Sequence, residues 1–169
     1  MSKERTLLGY AHAWLVAADG QATAAKEQGV DGEVAGMMCI VALQNSVVGA
    51  ARVLGNDDVA VTECLTQVKD LKNVRDMLTH FDEYIAGSGR LQKGEKGAEG
   101  TVGWWSMWSS PEVMTLMNRA KGDEVPTEYT VWIHDALTAV AHLVATAAKQ
   151  FDVPPSPLLE KLTGQEGGS

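Results

Sequence analysis

Apolar positions in the first fifty residues recur at helical spacing. From about Lys3 to Glu27, Leu7, Leu8, Ala11, Trp14, Leu15 and Ala18 share one side, after which the segment turns alanine-rich and polar. Gly29-Val30-Asp31-Gly32 interrupts it, and Asp31 suits the N-cap of a second helix from about Gly32 to Leu54. That second helix is apolar around most of its circumference, the pattern of a helix packed on several sides. Gly55 ends it, and Asn56-Asp57-Asp58 offers the next cap together with acid at a helix start. Val61, Leu65, Val68, Leu71, Val74, Leu78, Phe81 and Ile85 then follow at steps of three or four, so one continuous third helix is expected there.

Ala86 to Gly103 reads as a glycine-rich loop, because so many glycines make an ordered backbone entropically costly. Trp104 to Met117 admits two readings. Ser110-Pro111-Glu112 opening and Lys121-Gly122 closing suit a short capped helix. Tryptophan-rich and Val/Thr-containing runs around a Ser/Pro turn suit a β-hairpin, which is the preferred reading. The last helix is expected from about Glu128 to Phe151, stopped by Val153-Pro154-Pro155. The expectation is therefore a mainly α protein: an antiparallel four-helix bundle with a Gly-rich loop and a small Trp-rich β-hairpin before the last helix. It forms one domain over residues 1–162, with a disordered tail over 163–169.

Composition narrows this picture in four ways. No apolar run is long enough to cross a bilayer uninterrupted, since Gln44, Asn45, Ser46 and Arg52 break up the stretch from Val34 to Val53. The charged N-terminus leads into Trp14-Leu15-Val16 without a small-residue cleavage site, so the expected location is cytoplasmic, with no membrane partner. Cys39 and Cys64 fall on different helices without CxxC spacing and read as small buried hydrophobes. A net charge of −8 disfavours broad, sequence-blind binding of nucleic acid, which depends on phosphate neutralisation, but permits a small local cationic site.

The sharpest local feature is Arg75-Asp76-Met77-Leu78-Thr79-His80, followed by Phe81-Asp82-Glu83-Tyr84. An arginine, a polar residue and then a histidine after four intervening residues, on a helix of a small bundle, resembles the Rx4-6H motif of the HEPN superfamily. The resemblance covers a dozen residues directly, together with the bundle architecture. It implies an antiparallel helical bundle that dimerises, and a metal-independent endoribonuclease without cofactor, of the kind that serves as a toxin or defence effector. It further implies Arg75 as phosphate clamp, His80 as general acid/base and Asp76 as polar companion, with a homodimer, an RNA substrate and an antitoxin or regulatory protein as partners. Some HEPN toxins carry a tyrosine two residues after the histidine, where antitoxins modify it. Here that position is Asp82, and Tyr84 lies four residues on.

The chemistry is coherent by itself. Cleaving RNA through its 2′-hydroxyl needs a group that exchanges protons near neutral pH, which histidine does, and a fixed cation for the phosphate, which a guanidinium supplies. Yet Arg75 and His80 point about 140° apart around a straight helix, so a helix break or a second protomer is required. The bland alternative is a non-catalytic helical bundle that binds a partner protein or a small ligand, with Arg75 paired to a carboxylate and His80 at the edge of the core.

Arg90, Lys93, Lys96 and Tyr84 are candidate RNA-binding residues, with Trp104, Trp105 and Trp108 either stacking on bases or capping the core. Gln44-Asn45-Ser46 reads as a hydrogen-bonded crossing with the first helix. His12, His134 and His142 lie on the first and last helices, where two could approach each other, but they lack a metal-ligand pattern, so no metal is expected.

Overall fold

The computed structural model of the protein describes residues 2–93 and 103–164. Among these, the chain is mainly helical with one three-stranded antiparallel sheet. Helix α1 spans Lys3–Gln28, and the Ser2 side chain caps it by accepting from the Arg5 N–H. A short 3-10 turn at Gly29–Gly32 leads into α2, Glu33–Leu54. Gly32 takes the N-cap of α2 and Glu33 puts acid in its first turn, in place of the expected cap by Asp31. The side chain of Asp31 lies outside those described.

Small residues let α1 and α2 approach closely. Ala11, Ala18, Ala22 and Ala25 of α1 are buried, as are Ala35, Ala42, Ser46 and Gly49 of α2. A Cβ on Gly49 would come within 2.9 Å of the Ala11 Cβ, so glycine is required at that crossing. Of the polar band Gln44-Asn45-Ser46, the Ser46 hydroxyl is the member seen to bond across the crossing, donating to the Ala11 carbonyl at 2.8 Å. By length and hydropathy alone α2 could cross a membrane, but 56% of that stretch is buried inside this fold.

The long third helix expected from the apolar seam is in fact three: α3, Val59–Gln67; α4, Leu71–Thr79; and α5, Phe81–Ile85. Asp58 caps α3 by accepting from Ala60 N–H at 2.8 Å. The first break follows Val68, and Asp70 there turns its carboxylate to the sheet, accepting from Thr130 N–H at 3.1 Å. The second break is at His80, which closes α4 and opens α5 with φ −122 and ψ 35. These breaks change the phase of the buried face. Val61, Val68, Leu71 and Val74 are buried as the seam requires, but Leu65, Phe81 and Ile85 are exposed, and Met77 and Tyr84 take the core positions instead.

The tryptophan-rich segment forms the expected hairpin, β1 at Trp104–Ser109 and β2 at Val113–Arg119. The Ser110 hydroxyl holds the turn, accepting from the N–H groups of Glu112 and Val113. Residues expected to begin the last helix instead form β3, Thr127–Trp132, paired with β2 so that Leu116 faces Tyr129 and Met114 faces Val131. The aromatic and β-branched run Tyr129-Thr130-Val131 suits this strand better than a helix start. Helix α6 therefore begins at Ile133 and ends at Gln150. A further helix, α7, occupies Pro157–Thr163 with Ser156 as N-cap, so Thr163, expected in the tail, belongs to a helix. Residues 165–169 lie outside those described.

Candidate functional site

The Arg75–His80 segment sits on α4 and its C-terminal cap. The structure joins its residues differently from the sequence expectation. Asp76 is not a free companion to Arg75. Its Oδ2 accepts from the Tyr84 hydroxyl at 2.9 Å and from Arg90 Nε at 3.1 Å, and Arg90 Nη2 donates to Asn73 Oδ1 at 2.9 Å. Tyr84 is fully buried, and its oxygen also accepts from Leu91 N–H at 3.3 Å. Burial pushes the Tyr84 hydroxyl up to about 12, and its bond to the Asp76 carboxylate acts in the same direction. Tyr84 and Arg90, read from the sequence as RNA-binding, are thus engaged within the chain.

The segment after α5 is folded back to make these contacts. Gln92, fully buried, donates from Nε2 to the Tyr84 carbonyl at 2.9 Å and accepts from Gly89 N–H at 3.0 Å. A Cβ on Gly89 would fall 2.5 Å from the Tyr84 ring, so glycine is needed for the loop to lie this close. Asn118 of β2 donates to the Leu91 carbonyl at 2.9 Å, which ties the same loop to the sheet. Lys93 is exposed at the end of this segment, and Lys96 lies outside the described residues.

Arg75 and His80 stand apart from this network. Arg75 is half-buried, and its Nε–H finds no acceptor among the described residues. His80 is half exposed, and its Nδ1 lies 3.5 Å from Glu83 Oε1. Neither residue makes a polar side-chain contact with the other among the described hydrogen bonds and ion pairs. The break at His80 ends α4 there, the first of the two alternatives, a helix break or a second protomer.

A second constellation escaped sequence reasoning because its members are far apart in the chain. His12 Nε2 and Ser156 Oγ are 2.7 Å apart, at the wall of a cavity of about 430 Å³ between α1, α6 and α7. Leu8, Val144, Ala148 and Leu159 make its apolar lining, and Arg5 and Asp152 add charge at its rim. The only advance signal was the placement of His12 on the first helix.

The remaining candidates resolve simply. Trp105 packs against the core, while Trp104 and Trp108 are exposed on the other face of the sheet. Cys39 and Cys64 are buried free thiols, pushed by burial up to about 12 and about 11. Among the described residues, no three His, Cys, Asp or Glu side chains are grouped to hold a metal. Comparison with protein-family models, with curated proteins and with solved structures finds no match.

Proposed function

We propose that the chain is a cytoplasmic, metal-independent endoribonuclease of HEPN type that acts as a homodimer. In this reading α1, α2, the broken α3–α4 segment and α6 are the four helices of the bundle. The observation that carries it is the Arg75 Nε–H, buried and without an acceptor among the described residues, on the helix that breaks at His80. A buried donor without an acceptor costs on the order of 1–3 kcal/mol, and a phosphate oxygen from bound RNA would remove that cost. Arg75 then holds the scissile phosphate and stabilises charge as it develops, while His80 moves the proton of the 2′-hydroxyl or of the leaving oxygen. In this scheme the His80 of a second protomer completes the site. Asp76, Tyr84 and Arg90 are positioning residues in this scheme, fixing the end of α4 from behind. An antitoxin or regulatory protein would act by covering the exposed His80.

The test is cleavage of total RNA by the purified chain in excess EDTA, beside Arg75→Ala and His80→Ala variants with unchanged circular dichroism. Loss of cutting by ~10²-fold or more in both variants supports the reading. Equal cutting by wild type and variants, or none by wild type, overturns it.

The cavity between α1, α6 and α7 favours a second reading, non-catalytic binding of a small amphiphilic carboxylate. Its apolar lining suits an alkyl chain, and Arg5 with His12 and Ser156 suits the acid group. Thermal unfolding with and without decanoate tests it: a rise in midpoint that disappears in Arg5→Ala is expected, and no rise sinks the reading.

A further inference from the structure

Helix α2 buries most of its circumference, but one stripe is left uncovered. Val34, Met38, Val41, Asn45, Val48 and Arg52 follow one another at steps of four, three, four, three and four. Val34 is 68% exposed, Met38 47% and Val48 36%; Arg52 is exposed, and Val41 and Asn45 are half-buried. Alternating steps of four and three, which repeat every seven residues, are the spacing by which one helix seats along another in a left-handed pair. Isolated exposed apolar residues need no explanation, but a row of them along a helix of this length does.

The stripe is self-complementary in one arrangement. If a second copy of α2 lies antiparallel across a two-fold at Leu43, Met38 faces the partner's Val48 and Val41 faces the partner's Asn45. Val34 then lies over the stem of the partner's Arg52. All six positions are used, each pair being symmetric about the same residue. The ends agree in charge as well: Glu33, in the first turn, comes beside the partner's Arg52 in the last turn, and the symmetric pair repeats this at the other end. A parallel pairing would set Glu33 against Glu33 and Arg52 against Arg52. A lipid surface fits less well, because the stripe has no cationic rim and the chain carries a net charge of −8.

We infer that the exposed face of α2 is a homodimer interface, antiparallel and centred on Leu43, in which a second copy of the chain covers Val34, Met38, Val41 and Val48. The inference is drawn from α2 alone and holds whether or not Arg75 and His80 cut RNA.

Sedimentation of the full chain over a range of concentrations tests it. Wild type is expected to dimerise, and Met38→Glu to raise the dissociation constant by at least ~100-fold, since two carboxylates meet apolar partners at once. Met38 is half exposed in the single chain, so this variant keeps its fold, as circular dichroism will verify. The register is tested by mixing Met38→Cys protein with Val48→Cys protein under mild oxidation. The mixture is expected to cross-link, whereas Met38→Cys alone is not, because its two copies lie ~15 Å apart along the helix axis. A monomer at every concentration overturns the inference, as does a dimer that survives Met38→Glu. Cross-linking of Met38→Cys alone as readily as the mixture overturns the register.

Discussion

The α1–α2 crossing and the Asp76–Tyr84–Arg90 network hold their parts together by opposite means. At the crossing, alanine and glycine remove side-chain volume until two backbones nearly touch, and the buried Ser46 hydroxyl is satisfied by the Ala11 carbonyl. At the network, a large aromatic side chain fills the space, and hydrogen bonds from three directions converge on its hydroxyl and on one carboxylate oxygen. The first depends on shape and the second on directed bonds. The crossing should therefore be sensitive to added volume and indifferent to pH or salt, whereas the network should respond to both.

The largest effect is expected from emptying the network. Tyr84→Ala removes a fully buried ring, strands Leu91 N–H and takes one of two donors from Asp76, and should lower unfolding free energy by ~3–5 kcal/mol in denaturant titration. Gly49→Val tests the crossing by adding volume where a Cβ already meets Ala11 at 2.9 Å, with an expected loss of ~1–3 kcal/mol that salt does not change. Tyr84→Phe keeps the shape and deletes only the hydroxyl. It should cost ~1 kcal/mol at neutral pH, and it should also alter the alkaline limb of stability. Because the Tyr84 hydroxyl titrates higher in the folded chain, about 12 against an ordinary 10, its contribution is complete below pH 10 and is lost as pH rises towards 12. The difference between wild type and Tyr84→Phe should therefore narrow over that interval, and a constant difference would contradict the network. The smallest effect belongs to Arg90→Ala. Its half-exposed ion pair with Asp76 should contribute ~0–1 kcal/mol, diminishing with added salt.

Helices α1, α2 and α6 and the first hairpin were legible in the sequence because their patterns are local. An amphipathic period or a Ser/Pro turn between β-formers needs no knowledge of the rest of the chain. The single helix read across Val61 to Ile85 failed because periodicity averages over breaks. Asp70 and His80 interrupt it for reasons that lie elsewhere, in a strand N–H at Thr130 and in the changed burial of Tyr84. Strand β3 was hidden for a similar reason, since its pairing with β2 depends on a neighbour that no spacing rule names.

The candidate site shows the same division. Asp76, Tyr84 and Arg90 were all singled out as residues of interest, but their relation was missed. It exists only because the loop through Gly89 and Gln92 folds back onto α5. His12 and Ser156 are 144 positions apart, and nothing in the local pattern of either implies the other.

Asp70 also has a consequence for the sheet. Its carboxylate occupies the N–H of Thr130 on the outer side of β3, one of the two edge strands, while β1 at the opposite edge pairs only with β2 among the described residues. A sheet stoppered at one margin can accept another strand from one direction alone. Asp70→Ala would free that one N–H and weaken the protection of this edge, where α4 also packs against β3.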